Sequence, residues 1–182
     1  MVRLRFIPVT RESWPLLETL FEAKGGPGYC WCMPFRPLEG DRQRATNAER
    51  KAALSAMVEA GTPIGIVACE NDKPVGWCSV APRATFVRSL GPSQAEDDGG
   101  VWSITCFYVP CARRRGGLAS ALLDAAVEHA FAAGARAVEA CPVDPQSPSY
   151  RFMGFRGMFA ARGFRETGMV GTRRHAMRLE RR

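Results

Sequence analysis

Long apolar runs are absent from this 182-residue sequence. Charged residues such as Arg3, Arg5 and Arg11 interrupt the amino-terminal segment, so we expect neither a secretory leader nor a membrane anchor. No segment approaches the roughly 20 apolar residues that a membrane-spanning helix needs. Histidine is scarce, with two residues, and the cysteines lack the paired spacing of zinc sites. The sequence therefore predicts no metal and no role at a membrane.

A disulfide framework and a nucleic-acid motif are also missing. The seven cysteines are an odd number and are scattered along the chain, which is typical of reduced thiols in a cytoplasmic protein. The net charge is +7, but the basic residues are dispersed, with no recognition helix or aromatic RNA-binding motif. We expect a cytoplasmic protein with no nucleic-acid partner.

The length and the order of predicted elements indicate one α/β (α+β) domain over residues 1–182. The pattern is strand, helix, helix, three strands, helix, strand, helix and two strands, without repeats or linkers. Thr10 is expected to cap the first helix, and residues 83–100 to form a short helix and a loop. Strands are predicted at 3–8, 63–70, 74–80, 101–109, 137–143, 164–170 and 174–180, and helices at 11–23, 47–60, 117–133 and 155–161.

The most informative segment runs from Val101 to Asp124. An apolar strand stops at Pro110, three arginines and two glycines follow, and a helix begins at once. Such a turn presents unpaired N–H groups at the positive end of a helix, which favours a pyrophosphate, and arginines can bind further phosphates. A dinucleotide fingerprint needs a third glycine and a Walker loop needs Gly-Lys-Ser/Thr. Both are missing, so a different nucleotide cofactor is indicated.

Arg114-x-x-Gly117-x-Ala119 resembles the pyrophosphate loop, Arg/Gln-x-x-Gly-x-Gly/Ala, of the GNAT superfamily of acyl-CoA-dependent N-acetyltransferases. Phe107-x-Val109 resembles the end of that family's central strand, whose backbone pairs with the pantetheine arm. The resemblance implies acetyl-CoA as co-substrate, no metal, and direct transfer of the acetyl group to a primary amine. It assigns cofactor binding to Phe107, Val109, Arg113, Arg114, Arg115, Gly116, Gly117, Leu118, Ala119, Ser120 and Phe159.

The same resemblance implies the GNAT fold. This is a central mixed, mostly antiparallel sheet of about seven strands flanked by helices, with a V-shaped splay between the fourth and fifth strands. Acetyl-CoA is expected in that splay, and the N–H of Val109 is expected to polarise the thioester carbonyl. Many members of the family are dimers, so a homodimer is possible.

Phe159-x-x-x-Gly163-Phe164 resembles a Tyr-x-x-x-Gly-Phe segment in which the tyrosine is proposed to protonate the leaving thiolate. Phenylalanine has no proton to donate. Tyr150 or water is an alternative acid, or no acid is needed, because a thiol pKa near 8–9 makes thiolate a tolerable leaving group.

The amine must lose a proton, and a carboxylate is the usual acceptor. The matching positions of the central strand hold Ser103 and Thr105 instead of glutamate. The remaining candidates for a general base are Glu96, Asp97, Asp98, Glu139 and Asp144.

Tyr29-Cys-Trp-Cys-Met33 is an unusual sequence. Its cysteine spacing does not match zinc sites, so the segment is expected to pack over the sheet and shape the acceptor pocket. Together with Gly76-Trp77-Cys78 and Pro142-Val-Asp-Pro145, it resembles a bacterial branch of GNAT proteins. The predicted substrate-binding residues are Trp31, Cys32, Met33 and Asp144. A reactive Cys32 would require a lowered thiol pKa.

Three hypotheses about the function remain open. The loops at 24–36 and 83–100 favour a pocket for a small-molecule amine, with a protein or peptide amine as the alternative. The absent tyrosine and the unassigned base leave room for an acyl-CoA sensor without turnover.

Overall fold

The computed structural model describes residues 4–41, 43–87 and 100–182. Its strands are β1 (Leu4–Pro8), β2 (Ile66–Glu70), β3 (Lys73–Pro82), β4 (Val101–Tyr108), β5 (Ala137–Ala140), β6 (Arg165–Val170) and β7 (Arg174–Glu180). Its α-helices are α1 (Trp14–Glu22), α2 (Asn47–Glu59), α3 (Leu118–Ala132) and α4 (Arg156–Ala160). Single 3-10 turns occupy Arg83–Thr85, Cys111–Arg113 and Arg151–Met153.

The described strands form one seven-stranded sheet in the order β1-β2-β3-β4-β5-β7-β6. The β4–β5 pair is parallel, and every other pair is antiparallel. The α3 crossover supplies the long connection that a parallel pair requires. The predicted mixed sheet flanked by helices is therefore confirmed. None of the helices in the described ranges is long and apolar enough to cross a membrane.

Helices cover both faces of the sheet. On one face α3 and α4 pack on alternate residues of β2–β5, with a core that includes Ile66, Val80, Ile104, Leu122, Ala126 and Phe159. On the other face α1 and α2 pack on the opposite set, with a core that includes Leu17, Phe21, Leu54, Val67 and Trp77. Burial on both faces explains why β2 and β3 are almost continuously apolar.

The middle of the sheet opens at the carboxyl end of β4. Pairing of β4 with β5 runs from Val101–Ala137 to Ile104–Ala140 and then stops. Pairing with β3 continues to Tyr108 opposite Trp77. Thr105 is an extra residue at a bulge, since Ser79 lies opposite Cys106 and Val80 opposite Ile104. Beyond the bulge, one edge of β4 has no strand partner among the described residues, as the predicted splay requires.

Three predicted element ends are wrong by three residues, and one of them is the start of β2, which lies at Ile66 instead of residue 63. Helix α1 begins at Trp14, with Ser13 at the N-cap position and a proline in its first turn. Thr10 therefore does not cap it, and the Thr10 hydroxyl donates instead to the Glu12 carboxylate at 2.6 Å. Strand β5 ends at Ala140, and Val143 keeps only isolated bridges.

Candidate active site

The splay of the sheet opens into a cavity of about 540 Å³, within the usual range for small-molecule sites. Its walls come from the end of β4, the loop after α1, the first turn of α3 and the segment around α4. The lining residues are Gly25, Pro27, Tyr29, Cys30, Cys32, Pro34, Phe35, Thr105, Cys106, Phe107, Tyr108, Val109, Arg114, Ala119, Arg151, Phe152, Gly154, Phe155 and Met158.

The amino-terminal turn of α3 forms one end of this cavity. Gly117 is the N-cap, with φ +79° and no side-chain cap. The first helical hydrogen bond runs from Ala121 N to Gly117 O, so the N–H groups of Leu118, Ala119 and Ser120 have no acceptor inside the helix. A Cβ on Gly117 would meet nothing within 4 Å. Free N–H groups, the helix dipole and open space together suit an anion.

The three neighbouring arginines differ in their contacts. Arg114 lines the cavity, and its Nε–H donates to the carbonyl of Val109 at 3.1 Å. Arg113 instead pairs with the carboxylate of Glu70, with Nη1 to Oε1 at 2.9 Å. That pair occupies its guanidinium in this structure, and a phosphate role for Arg113 stays a prediction. Arg115 is exposed in the left-handed region, with φ +65°.

Phe159 does not reach the cavity. It is 0% exposed and packs edge-on against Phe107 and Phe164, with ring centroids 6.1 and 5.1 Å away. The predicted contact of Phe159 with the cofactor is thus corrected to a core position. Phe107, Val109 and Ala119 do line the cavity, as do the residues of β4 after the bulge.

The described candidates for the acid and the base lie outside the cavity lining. Glu139 is 7% exposed, accepts a hydrogen bond from Ser103 Oγ at 2.7 Å and pairs with Arg83 at 3.1 Å. Tyr150 is 39% exposed and lies under the guanidinium of Arg174 at 4.8 Å. Glu139 and Tyr150 therefore contact other protein groups outside the described lining of the cavity.

Asp144, predicted both as a base candidate and as a substrate contact, faces a separate depression. Its carboxylate lies 3.1 Å from Nε2 of His175. The remaining base candidates, Glu96, Asp97 and Asp98, lie outside the described residues.

The loop after α1 forms the other end of the cavity. Trp31 and Met33 are buried in the core, Trp31 stacking on Trp14 with centroids 5.8 Å apart. Cys32 between them lines the cavity. Trp31 and Cys32 both have positive φ, at 46° and 55°. At this backbone turn Trp31 packs into the core and Cys32 lines the cavity. Of the four predicted substrate contacts, Cys32 alone lines the cavity.

Cys32 has an unusual set of neighbours. The indole N–H of Trp77 donates to its sulfur at 3.2 Å. A hydrogen bond from the Cys106 thiol, this indole N–H and the nearby charge of Arg36 lower the pKa of Cys32 against the effect of burial. Cys106 shifts in the opposite direction, because its hydrogen bond to Cys32 and its burial raise its pKa.

Sequence reasoning missed Arg36. Its side chain is 0% exposed, donates through Nη2 to Ile64 O at 2.7 Å and Ser79 Oγ at 2.9 Å, and lies 4.7 Å from the centre of the Phe86 ring. An arginine in a loop is usually solvated, so the sequence does not indicate that Arg36 is buried.

The charge of the cavity is one-sided in the described part of the lining. Arg114 and Arg151 contribute cations, and no aspartate, glutamate or histidine is present there. Among the described residues, no cluster of three or more potential ligands is arranged to hold a metal ion.

Comparison with known proteins identifies the family. The model of the Acetyltransferase (GNAT) family matches residues 29–158, which is more than half of the chain, so this protein belongs to that family. Among curated proteins no sequence matches it.

Solved structures share the fold over almost the whole chain. One is the aminoglycoside acetyltransferase AAC(6')-Ib in complex with coenzyme A and kanamycin, 19% identical with a TM-score of 0.64 over 98% of this chain and 95% of the other. An N-acetyltransferase from Staphylococcus aureus Mu50 is 16% identical, with a TM-score of 0.58 and 98% coverage of each chain. A GNAT acetyltransferase from Streptococcus pneumoniae is 16% identical, with a TM-score of 0.56 over 98% and 99%.

Proposed function

We propose that this chain is a single-domain, acyl-CoA-dependent N-acetyltransferase that moves an acetyl group from acetyl-CoA to a primary amine of a small molecule by direct attack. One observation carries the proposal. A single cavity reaches from Ala119, in the first turn of α3, to the part of β4 that has no strand partner among the described residues. An extended cofactor with a diphosphate at one end and amides along its arm requires both features.

In this proposal the N–H groups of Leu118, Ala119 and Ser120 bind the diphosphate. Arg114 adds a positive charge at the same place, and Gly116 and Gly117 let the backbone approach closely. The free edge of β4 beyond Thr105 binds the amides of the pantetheine arm as a missing strand would. The co-substrate supplies an acyl group activated as a thioester.

The splay would position the reacting groups. The N–H of Val109 is proposed to donate to the thioester carbonyl, where negative charge develops during attack. With Phe159 in the core, no tyrosine at that position protonates the leaving thiolate. An ordinary thiol pKa near 8–9 makes this tolerable at neutral pH. Catalysis would rest on orientation and electrostatic stabilisation.

The charge of the described lining bears on the acceptor. With Arg114 assigned to the diphosphate, Arg151 is the other cation of the described lining, and no described carboxylate of the lining balances it, which favours an acceptor whose groups other than the amine are neutral or anionic. We therefore propose a small amine that also carries a carboxylate, rather than a polycation such as an aminoglycoside. A panel of amino acids, polyamines and aminoglycosides tests this. Faster turnover of the polycations would contradict it.

Thermal unfolding with acetyl-CoA tests cofactor binding. Ligand at about 100 times its Kd would stabilise the fold by about 2.7 kcal/mol and raise Tm. Arg114→Glu combined with Gly117→Leu should abolish the rise, because it reverses the charge and fills the open space before α3. No rise in the wild-type protein at millimolar cofactor would overturn the proposal.

A matched control separates binding from strain. Arg165→Glu with Gly171→Leu changes an exposed arginine and another glycine of positive φ, +65°, whose Cβ also meets nothing within 4 Å. This variant should keep the full rise in Tm. If both double variants behaved alike, the assigned cofactor site would be wrong.

Release of free coenzyme A in the presence of the amine panel distinguishes an enzyme from a sensor. Binding without release over the whole panel would favour the sensor. A bacterial origin, a cytoplasmic location and a homodimer remain predictions. Light scattering of the purified chain tests the dimer.

A further inference from the structure

Aromatic side chains dominate the part of the cavity that the cofactor does not use. Once β4 and the start of α3 are assigned to the cofactor, the aromatic residues left in the described lining are Tyr29, Phe35, Phe152 and Phe155. These four residues form what we call the aromatic wall. Tyr29 is 69% exposed and Phe152 41%, so both rings leave much of their surface uncovered. Large apolar rings left uncovered beside a cavity mark a surface that a ligand can cover.

Phe152 is held in place by neighbouring rings. Its ring centroid lies 6.5 Å from that of Phe35 and 6.2 Å from that of Tyr150, both within the favourable range for aromatic pairs. Phe35 is itself buried in a small core with Met153. Phe152 is therefore oriented from behind while its outer surface stays open. A further aromatic ring is the ligand group that packs best on such a surface, because ring pairs gain more than the area they bury.

Arg151 is the cation beside this wall, and contacts on one edge and one face orient its guanidinium. Its Nη1 donates to the carbonyls of Pro145 and Ser147, the second at 3.4 Å. Its Cζ lies 4.9 Å from the centre of the Phe155 ring, a favourable cation–π distance. Its Nε and Nη2 have no hydrogen-bond acceptor among the described residues. The edge formed by Nε and Nη2 is therefore left to donate to a ligand.

This edge matches a carboxylate. Two donors on one edge of a guanidinium can bind both oxygens of a carboxylate in parallel, which adds affinity and fixes direction. The described lining holds no aspartate or glutamate that could take this place. A side chain that is already oriented also loses little entropy on binding. A carboxylate on the acceptor is therefore the ligand group that the free edge of Arg151 suits best.

We propose that the acceptor is an amine that carries both a carboxylate and an aromatic ring, as an aromatic amino acid does. The Nε–H and Nη2–H of Arg151 bind the carboxylate, and the ring packs on Phe152 and Tyr29. Arg151 is thus the residue that determines specificity and sets the direction in which the amine enters the cavity. This inference rests on the proposed function, because it names the acceptor class of the same site.

Four amines separate the two recognition groups in the wild-type protein. Phenylalanine has the ring and the carboxylate, phenethylamine only the ring, alanine only the carboxylate, and ethylamine neither. Release of free coenzyme A should give phenylalanine the highest kcat/KM of the four and ethylamine the lowest. If alanine matched phenylalanine, the aromatic wall would have no role in recognition. If phenethylamine matched it, the carboxylate would have none. Either result would overturn the inference.

Arg151→Met tests the contact with the carboxylate. It should lower kcat/KM for phenylalanine about 10- to 100-fold, the usual effect of losing hydrogen bonds to a charged group, and leave phenethylamine nearly unchanged. The intrinsic reactivity of each amine cancels when the variant is compared with the wild type. Arg151→Lys should recover part of the loss, since lysine keeps the charge without the two parallel donors. Equal losses for both amines would show that Arg151 does not bind the carboxylate.

Arg173→Met is the matched control for Arg151. Arg173 is also an exposed arginine, and its Nη1 donates to Ser149 Oγ at 3.1 Å. It thus contacts the same loop, residues 144–150, without lining the cavity. This variant should keep wild-type kcat/KM for all four amines. If it lost activity on phenylalanine as Arg151→Met does, the effect would come from the loop and the assignment of Arg151 would be wrong.

Phe152→Ala tests the aromatic wall. It should lower kcat/KM for phenylalanine about 10-fold and leave alanine nearly unchanged. Met169→Ala is its control, because Met169 is a large apolar residue of similar exposure outside the cavity. An unchanged preference for phenylalanine in Phe152→Ala, together with faster transfer from a long-chain acyl-CoA than from acetyl-CoA, would assign the wall to an acyl chain and overturn the inference.

Binding without turnover separates failure of this inference from failure of the proposed function. In the presence of free coenzyme A, phenylalanine should raise Tm further. Arg151→Met should remove that added rise and keep the rise with coenzyme A alone. A rise with acetyl-CoA but none with phenylalanine would overturn the inference and leave the proposed function standing. Absence of any rise with acetyl-CoA would refute the proposed function, and the inference with it.

Discussion

The two ends of the cavity are built in different ways. The α3 end consists of consecutive residues, Arg114 to Ser120, and what it offers is mainly backbone N–H. The loop end combines Cys32 and Arg36 with Trp77, Ser79 and Cys106 from two strands, and it offers side-chain atoms.

This difference has consequences for substitution. At the α3 end any residue that keeps the turn and leaves space retains the N–H groups, so a change acts on binding more than on stability. At the loop end the side chains of Arg36, Trp77 and Ser79 are buried and take part in hydrogen bonds, so a change also acts on the fold.

The largest expected effect is a loss of stability, and it is found by replacing a glycine with alanine at each end of the cavity in turn. A Cβ on Gly26 would lie 2.4 Å from the Phe21 carbonyl oxygen and 2.7 Å from that of Leu20, so Gly26→Ala forces backbone to move and should cost about 3 kcal/mol. A Cβ on Gly116 meets only the Arg113 carbonyl oxygen, at 3.7 Å. Gly116→Ala should keep its stability and lose part of the rise in Tm with acetyl-CoA. Urea unfolding measures the stability of each variant, and thermal shift measures the rise in Tm with acetyl-CoA. Equal losses of stability in the two variants would contradict the difference between the two ends.

A smaller loss of stability is expected from a substitution outside both ends of the cavity. Glu139→Gln removes the charge that pairs with Arg83 and should cost about 2 kcal/mol of stability. At a temperature where the variant is folded, kcat should stay within a few-fold of wild type, because the cavity does not include Glu139. A loss of kcat of about 100-fold, the size expected of a general base, would assign the general base to Glu139.

The smallest effect is expected from Phe159→Tyr. The added hydroxyl enters a core formed with Phe107 and Phe164 and should cost about 1 kcal/mol for a poorly partnered polar group. If this variant raised kcat, the tyrosine hydroxyl would be reaching the leaving thiolate from the core. The assignment of Phe159 as purely structural would then be wrong.

Much of the fold was predictable, because its signals are local. The apolar run of β4, the stop at Pro110 and the glycine turn before α3 are contiguous. The sheet, the long helices α2 and α3 and the open end of β4 agree with prediction. Helix α1 was predicted three residues too early because Thr10 suits a cap by type. Ser13 and the proline after Trp14 decided its actual start.

The candidate site was predictable at one end only. Arg114, Gly117 and Ala119 follow a spacing that exposes N–H groups wherever the chain folds as strand, turn and helix. Arg113 is an arginine directly before Arg114 in the sequence, yet its guanidinium pairs with Glu70 of a distant strand. Trp31 and Met33 flank Cys32 in sequence and still point into the core.

By itself the sequence determined the order of elements and the anion-binding turn, because hydrogen-bond availability at the start of a helix depends on adjacent residues. Tertiary structure alone decided that Arg36 is buried, that Cys32 accepts the indole N–H of Trp77, and that Glu139 and Phe159 are turned away from the cavity. Charge, solvation and thiol ionisation depend on distances between residues far apart in sequence, and only the packed sheet sets those distances.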